Sequence, residues 1–296
     1  MIEIVKAPPF ATVQDLGWRT GRAMGLPTGG AMHPRLLEAA NLLIGNPGGF
    51  AGLEWALGPG LLRFLDDAQV CVTRDAEVRI GDAVQRAGVI GVGAGAPLQI
   101  IPRGRDRFIY VAVRGGIEVP PVMGSRSTYL PGGFGGLEGR RLRNGDRLQT
   151  GVAPRPPRGP TAARTEPPDI TRGDLVLRAT RGTQWELFGP KAREAFFAGE
   201  YAVTPASDRM GYRLKGPAVH PRSRATLPSE AACPGAVQIP DGGEPIVLMP
   251  DGPTVGGYPK LVVVLPTDLG ELAQCQPGRA VRFREVSLEE ARRLRR

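Results

Sequence analysis

The sequence predicts a mainly β protein of two domains, built from short strands, tight turns and a few short helices. Three observations carry that prediction. Of 296 residues, 42 are Gly and 30 are Pro, and both break helix interiors, at about 1 and 3 kcal/mol per site. Hydrophobic residues nevertheless make up 41% of the chain, enough to bury a core rather than leave a disordered coil. Finally, residues 153–168 hold six prolines and no large apolar side chain, the composition of an extended connector. That run separates a first domain, 1–152, from a second, 169–296, each long enough for its own core.

In the first domain, short apolar runs bounded by Gly, Pro and Asp read as strands. They are Ile2–Val5, Leu61–Phe64, Gln69–Val72, Glu77–Ile80, Leu98–Ile101, Phe108–Val113 and Arg147–Gln149. A helix is expected over Pro34–Ile44, with Leu36, Leu37, Ala40, Leu43 and Ile44 on one face. Pro34 suits its first turn and Gly45 its left-handed stop. The second domain repeats the recipe with Leu175–Ala179, Tyr201–Val203, Val237–Ile239, Ile246–Met249, Leu261–Leu265 and Ala280–Phe283. Helices are expected at Pro190–Ala198, at Asp268–Gln274 with Thr267 or Asp268 as N-cap, and over the charged last ten residues.

The formal charge is +9, with 38 Lys and Arg against 29 acids, and only Lys6, Lys191, Lys215 and Lys260 are lysines. The arginines are scattered apart from the Arg292–Arg296 tail, and no nucleic-acid-binding motif accompanies them, so no nucleic-acid partner is expected. Cys71, Cys233 and Cys275 form no CxxC pattern, no signal-peptide core opens the chain, and no run approaches the ~20 apolar residues of a membrane span. A cytoplasmic protein without membrane contact is expected. There is no GxxxxGK[ST] loop, HExxH or GxSxG, and the two histidines, His33 and His220, lie far apart, so no metal site is expected.

Four glycine-set polar clusters remain. Thr12-Val13-Gln14-Asp15-Leu16-Gly17 precedes Gly29-Gly30-Ala31-Met32-His33 at the first helix. That helix start either caps a tight loop or offers free N–H groups to an anion. Gly124-Ser125-Arg126-Ser127-Thr128 sets three hydroxyls around one guanidinium, either closing turns or forming a fork for a carboxylate or phosphate. Ser207-Asp208-Arg209-Met210-Gly211-Tyr212 is the third, where Asp and Arg either pair locally or bind a ligand. The fourth joins Gly235–Gln238 to Asp251–Lys260; Gly256-Gly257 implies a positive-φ turn presenting Asp251, Thr254, Tyr258 and Lys260 on one loop. Lys260 stands out as a lysine in an arginine-rich chain, because only lysine is a compact, tunable charge.

These motifs resemble the biotin-dependent carboxyltransferase / allophanate hydrolase subunit 2 family. The resemblance is carried by Thr12–Gly17, Gly30-Ala31-Met32, Ala40–Asn46, Leu53-Glu54, Gly124–Thr128, Ser207–Leu214, Gly235–Gln238 and Thr254–Lys260, and runs from about Val5 to Phe283. Two positions depart from it: Trp18 follows Asp-Leu-Gly where the family usually has Arg, and His33 follows Gly-Ala-Met where it usually has Asp. The family includes the 5-oxoprolinase C subunit, together with KipA-type antagonists of a kinase inhibitor.

The resemblance implies two cyclophilin-like β-barrel domains and a component of an ATP-dependent 5-oxoprolinase, a cyclic-amide hydrolase converting 5-oxo-L-proline to L-glutamate. The partners it implies are a KipI-like B subunit, plus a LamB/YcsF-like A subunit, with ATP and Mg2+ used by the complex, which alone would be active. Two alternatives stay open: a component of a biotin-dependent carboxyltransferase of the urea/allophanate type, using biotin carried by another chain, and a regulatory protein binding a KipI-like inhibitor. On the leading reading Arg126, Arg209 and Lys260 are the candidate catalytic cations, stabilising developing charge. The candidate substrate-binding residues, for a small anionic or amide substrate, are Gln14, Asp15, Gly30, Ser125, Ser127, Thr128, Ser207, Asp208, Tyr212, Gln238, Asp251, Thr254, Gly256, Gly257 and Tyr258.

Overall fold

A computed structural model describes residues 1–153, 175–223 and 227–294. The Pro-rich connector expected over 153–168 therefore lies, beyond Ala153, outside the described residues. The chain divides into two compact units. Among described residues the first takes Met1–Trp18 with 29–153, and the second takes Arg19–Thr28 with 175–294. Ten residues of the first expected domain thus pack with the second unit, where Thr28 donates to the Pro250 carbonyl at 3.1 Å and Arg22 donates to the Ala232 carbonyl.

The first unit contains β1 (Ile2–Lys6), β2 (Phe10–Gln14), α1 (Pro34–Leu43), β3 (Gly52–Ala56), β4 (Gly60–Phe64), β5 (Ala68–Ile80), β6 (Ala83–Val92), β7 (Pro97–Pro102), β8 (Phe108–Val113), β9 (Ile117–Glu118) and β10 (Arg147–Thr150). They form one ten-stranded, barrel-like sheet in the order β2-β3-β8-β5-β7-β4-β1-β10-β9, with β6 pairing β5. The two runs Gln69–Val72 and Glu77–Ile80 are a single strand, β5, whose register with β6 shifts between Val72 and Glu77. Ile2, Ile4, Leu53, Trp55, Leu62, Ile109 and Val111 build the core. Four strands are absent from the expected set. β2 lies inside what reads as a polar cluster, β3 carries Glu54, β6 is mostly exposed and its valines are interrupted by Gln85, Arg86, Gly88 and Gly91, and β9 is only two residues long.

The second unit contains β11 (Leu175–Arg181), α2 (Pro190–Ala198), β12 (Tyr201–Val203), β13 (Gly211–Lys215), β14 (Glu230–Ala231), β15 (Ala236–Gln238), β16 (Ile246–Leu248), β17 (Val255–Gly256), β18 (Lys260–Val264), α3 (Pro266–Ala273), β19 (Ala280–Glu285) and α4 (Leu288–Leu294). Seven strands close a barrel, β11-β18-β15-β16-β13-β12-β19, and β14 pairs β17 in a separate ribbon. Phe196, Tyr201 and Phe283 pack together in its core. The chain is mainly β with four short α-helices among the described residues, and none of them is long and apolar enough to cross a membrane.

One helix cap departs from expectation. α3 begins at Pro266 with Leu265 as N-cap and no side-chain cap bond. Pro266 fits the first turn because the N–H it lacks would have no partner there. Asp268, free of capping, instead accepts from the Arg178 backbone N at 2.8 Å and from its Nε at 2.9 Å, tying α3 to β11.

Candidate functional site

The first two sequence clusters of the first unit are one constellation. Asp15, just past β2, accepts from Gly17 N at 2.7 Å and from the Ser125 and Ser127 hydroxyls at 2.6 Å each on Oδ1. Its Oδ2 accepts from Arg126 N at 2.6 Å. Ser127 Oγ in turn accepts from Asp15 N at 3.0 Å. Gln14 and Thr128 lock the next rung: Gln14 Nε2 donates to the Thr128 carbonyl at 3.1 Å, and Thr128 Oγ1 donates to the Val13 carbonyl at 3.0 Å. Ser125, Ser127, Thr128 and Gln14 are all buried. Their polarity is directed into the protein, so they act as a latch between β2 and the 124–128 loop.

Two glycines make this latch possible. Gly30 has φ 82°, and a Cβ there would lie 2.7 Å from Gly17 N. Gly29 has φ 57°, and a Cβ there would lie 2.3 Å from the Trp18 ring. Trp18 itself packs edge-on against Tyr129 and Phe134 and donates to the Val122 carbonyl at 2.8 Å. The Trp at this position thus anchors the loop that carries Arg126.

The start of α1 already holds an anion, and it belongs to the protein. Fully buried Glu54 accepts from Met32 N at 2.7 Å and from the Tyr110 hydroxyl at 2.8 Å. The same hydroxyl accepts from His33 N at 2.7 Å. His33 is the buried N-cap, without a side-chain cap bond. The Met32 and His33 N–H groups just ahead of the helix are therefore met by β3 and β8.

Arg126 differs from its neighbours because its side chain stays about one-third exposed. Its Nη2 contacts both carboxylate oxygens of Glu118, at 2.9 and 2.6 Å. Its Nε has no hydrogen-bond partner.

In the second unit Arg209 and Asp251 form a bidentate, buried ion pair, Nε–Oδ2 2.7 Å and Nη2–Oδ1 2.9 Å. Asp251 N also donates to the Arg209 carbonyl at 3.0 Å. This pairing takes up the guanidinium face that sequence reasoning assigned to substrate charge, so Arg209 braces the 251 turn. Asp208 closes an Asx turn on Met210 N and Gly211 N at 2.8 and 3.2 Å. Ser207 Oγ bonds across the same turn, accepting from Arg213 N at 3.0 Å. Tyr212, fully buried, donates to the Ala273 carbonyl at 2.6 Å.

A second constellation forms where β18 begins. Lys260 is 3% exposed, and its Nζ lies 2.6 Å from Glu230 Oε1. Gln184 donates from Nε2 to the same oxygen at 2.6 Å and accepts from Lys260 N on its Oε1 at 3.0 Å. Lys260 is paired in register with Gln238 on β15. Glu230 is paired with Gly256 in the β14–β17 ribbon. Neither Gly256 nor Gly257 has positive φ. A Cβ at Gly256 would lie 2.7 Å from Gln238 Nε2, the far end of a side chain that can shift. The expected single loop is therefore split: Asp251 is buried, Thr254 accepts from Ala232 N through its carbonyl at 2.9 Å, and Tyr258 is exposed. Hydrogen bonding from Lys260, then from Gln184, holds the Glu230 carboxyl below the ordinary glutamate range.

A family model described as the carboxyltransferase domain, subdomain A and B, matches residues 24–285. The chain belongs to that family. It is 37% identical over 297 residues to the 5-oxoprolinase C subunit of Escherichia coli (strain K12), covering all of this chain and 94% of that protein. It is 36% identical to the 5-oxoprolinase C subunit of Haemophilus influenzae, again over all of this chain and 94% of the relative. Among solved structures, the Kluyveromyces lactis urea carboxylase superposes with a TM-score of 0.90 at 28% identity, over 99% of this chain and 28% of that one.

On this carboxyltransferase-family scaffold most of the candidate residues fall into two groups. Asp15, Ser125, Ser127, Thr128, Gln14, Gly30, Ser207, Asp208, Arg209, Tyr212 and Asp251 are engaged within their own unit as described. Arg126 and Lys260 each place a cation with a partly exposed carboxylate beside it. Sequence reasoning missed Glu118, Glu230 and Gln184. The signal available for Gln184 was Gly182 before it, a position where a Cβ would lie 2.3 Å from the Lys260 carbonyl. Among the described residues, no group of three or more His, Cys, Asp or Glu side chains could hold a metal ion.

Proposed function

We propose that this chain is the C subunit of an ATP-dependent 5-oxoprolinase, working with KipI-like and LamB/YcsF-like subunits to open 5-oxo-L-proline to L-glutamate, and active only in that complex. The observation that carries the reading is end-to-end similarity, at 37% identity, to a protein of that name covering 94% of its length. The chemistry of the site supports it. The substrate is a carboxylate with a lactam carbonyl, and its ring opening builds negative charge on oxygen. Fixed cations lower the energy of such charge most where water is scarce. Lys260, at 3% exposure, is suited to the developing charge on the lactam oxygen.

ATP activates an otherwise poor leaving group. The described residues include no set of carboxylates fitted to Mg2+, so we assign ATP and Mg2+ to the assembled enzyme and route no step through them on this chain.

The test is to co-purify the chain with the two partner proteins and assay ATP-dependent glutamate release from 5-oxoproline. Release that requires all three proteins supports the reading. The urea carboxylase superposition favours one alternative, carboxyl transfer from biotin. No release, together with biotin-dependent turnover of urea, would overturn the 5-oxoprolinase reading in its favour.

A further inference from the structure

Lysine is a poor choice for a fixed charge unless something holds it, because its four-carbon stem samples many rotamers. At Lys260 the restraint is built from three separate elements. The Gly182–Gln184 turn folds back onto β18: Gly182 N donates to the Leu261 carbonyl at 2.9 Å and Gln184 N to the Lys260 carbonyl at 3.2 Å. The Gln184 side chain then spans from the Lys260 backbone N, at 3.0 Å, to Glu230 Oε1, at 2.6 Å. Thr183 Oγ1 lies 2.8 Å from Gln184 Oε1 and 3.3 Å from Glu230 Oε1. Glu230 arrives from the β14–β17 ribbon, which is no part of the barrel.

The described donors all converge on Oε1 of Glu230, so the oxygen facing Lys260 is fixed from two sides. Two other carboxylates of this unit are paired with arginines, Glu186 with Arg193 at 2.7 Å and Glu285 with Arg181 at 2.6 Å. We propose that Glu230, held in place by Gln184, is a positioning residue that fixes the Lys260 ammonium for the reaction assigned above. The proposal rests on that reading for its catalytic part. It does not rest on it for the restraint itself.

The chain contains four lysines, so lysine-selective 15N labelling gives few ammonium signals, and Lys260→Arg identifies the one that belongs to Lys260. A persistent Lys260 ammonium signal is expected in the full wild-type chain, and its loss is expected in Glu230→Gln while the other lysine signals stay and the variant remains folded. In the assembled three-protein enzyme, Glu230→Gln is expected to lower kcat about 10- to 100-fold, as small misplacements of a reacting group do, with KM little changed. Glu230→Ala is expected to regain turnover on addition of propionate, whose carboxylate fits the vacated space. A Lys260 signal that survives Glu230→Gln overturns the proposal. So does loss of that signal while kcat stays within about twofold of wild type. Absence of 5-oxoproline turnover by the wild-type assembly would instead sink the functional reading, and the ammonium signal of the chain alone would still decide whether Glu230 holds Lys260.

Discussion

In the first unit a carboxylate, Asp15, is surrounded by four short donors from its own chain. In the second a cation, Lys260, is almost wholly buried, and its counter-ion Glu230 has a side chain 39% exposed. The Asp15 arrangement is complete: every strong donor around it is used, so it closes a loop onto a strand. The Lys260 arrangement is buried at the charge and open at the partner, so an incoming anion can compete for the ammonium without an unpaired charge being left in the core. Similar polar motifs in the sequence therefore close on themselves in one place and leave an ion pair partly open in the other. Arg209–Asp251, buried on both sides, belongs with the braces.

Substitutions can break that contrast. The largest effect is expected from Arg209→Ala, which strands Asp251 as a buried, unpaired charge and should cost about 3–5 kcal/mol, read by urea or thermal unfolding. A stable variant that has lost only activity would move Arg209 back to the site. Asp15→Ala comes next. It deprives two buried hydroxyls and two backbone N–H groups of their acceptor, and a loss on the order of 3 kcal/mol is expected. Unchanged stability with raised KM would show that Asp15 faces substrate instead.

Smaller effects sharpen the other side. Gly256→Ala brings a methyl against the movable end of Gln238, and a cost of less than about 1 kcal/mol should appear as a slightly lowered unfolding midpoint. The pH response of the Glu230 pair has a definite sign. Its carboxyl is held below the ordinary glutamate value of about 4.3, so its contribution is complete above that pH and is lost as pH falls through the lowered value. Wild type should therefore lose stability on acidification more steeply than Glu230→Gln, and equal acid slopes would contradict the pairing. Tyr258→Phe, at an exposed position, should change stability by less than about 0.5 kcal/mol.

Much of the fold is readable locally, and the reasons are physical. Phe108–Val113 is six apolar residues, and Pro34 with Gly45 punctuates α1 at both ends. β3 escapes such reading because Glu54 breaks its apolar pattern, and the charge is met by Met32 N and the Tyr110 hydroxyl, far away in sequence. The same holds for the sites. Asp15 and Ser125 look like two motifs until the fold joins positions 110 apart in sequence. Glu230 and Gln184 form no motif with Lys260, lying in a short ribbon and a turn whose relation to β18 exists only in three dimensions. Lys260 itself is legible from chemistry alone, as one lysine among many arginines.

Turnover of Lys260→Met by the complete three-protein assembly tests the account most directly. The substitution removes the ammonium, keeps the buried stem's bulk and leaves Glu230 able to hydrate. The account predicts a folded complex whose ATP-dependent glutamate release falls by about two orders of magnitude or more. Release within about twofold of wild type would show that the charge at Lys260 takes no part in the reaction.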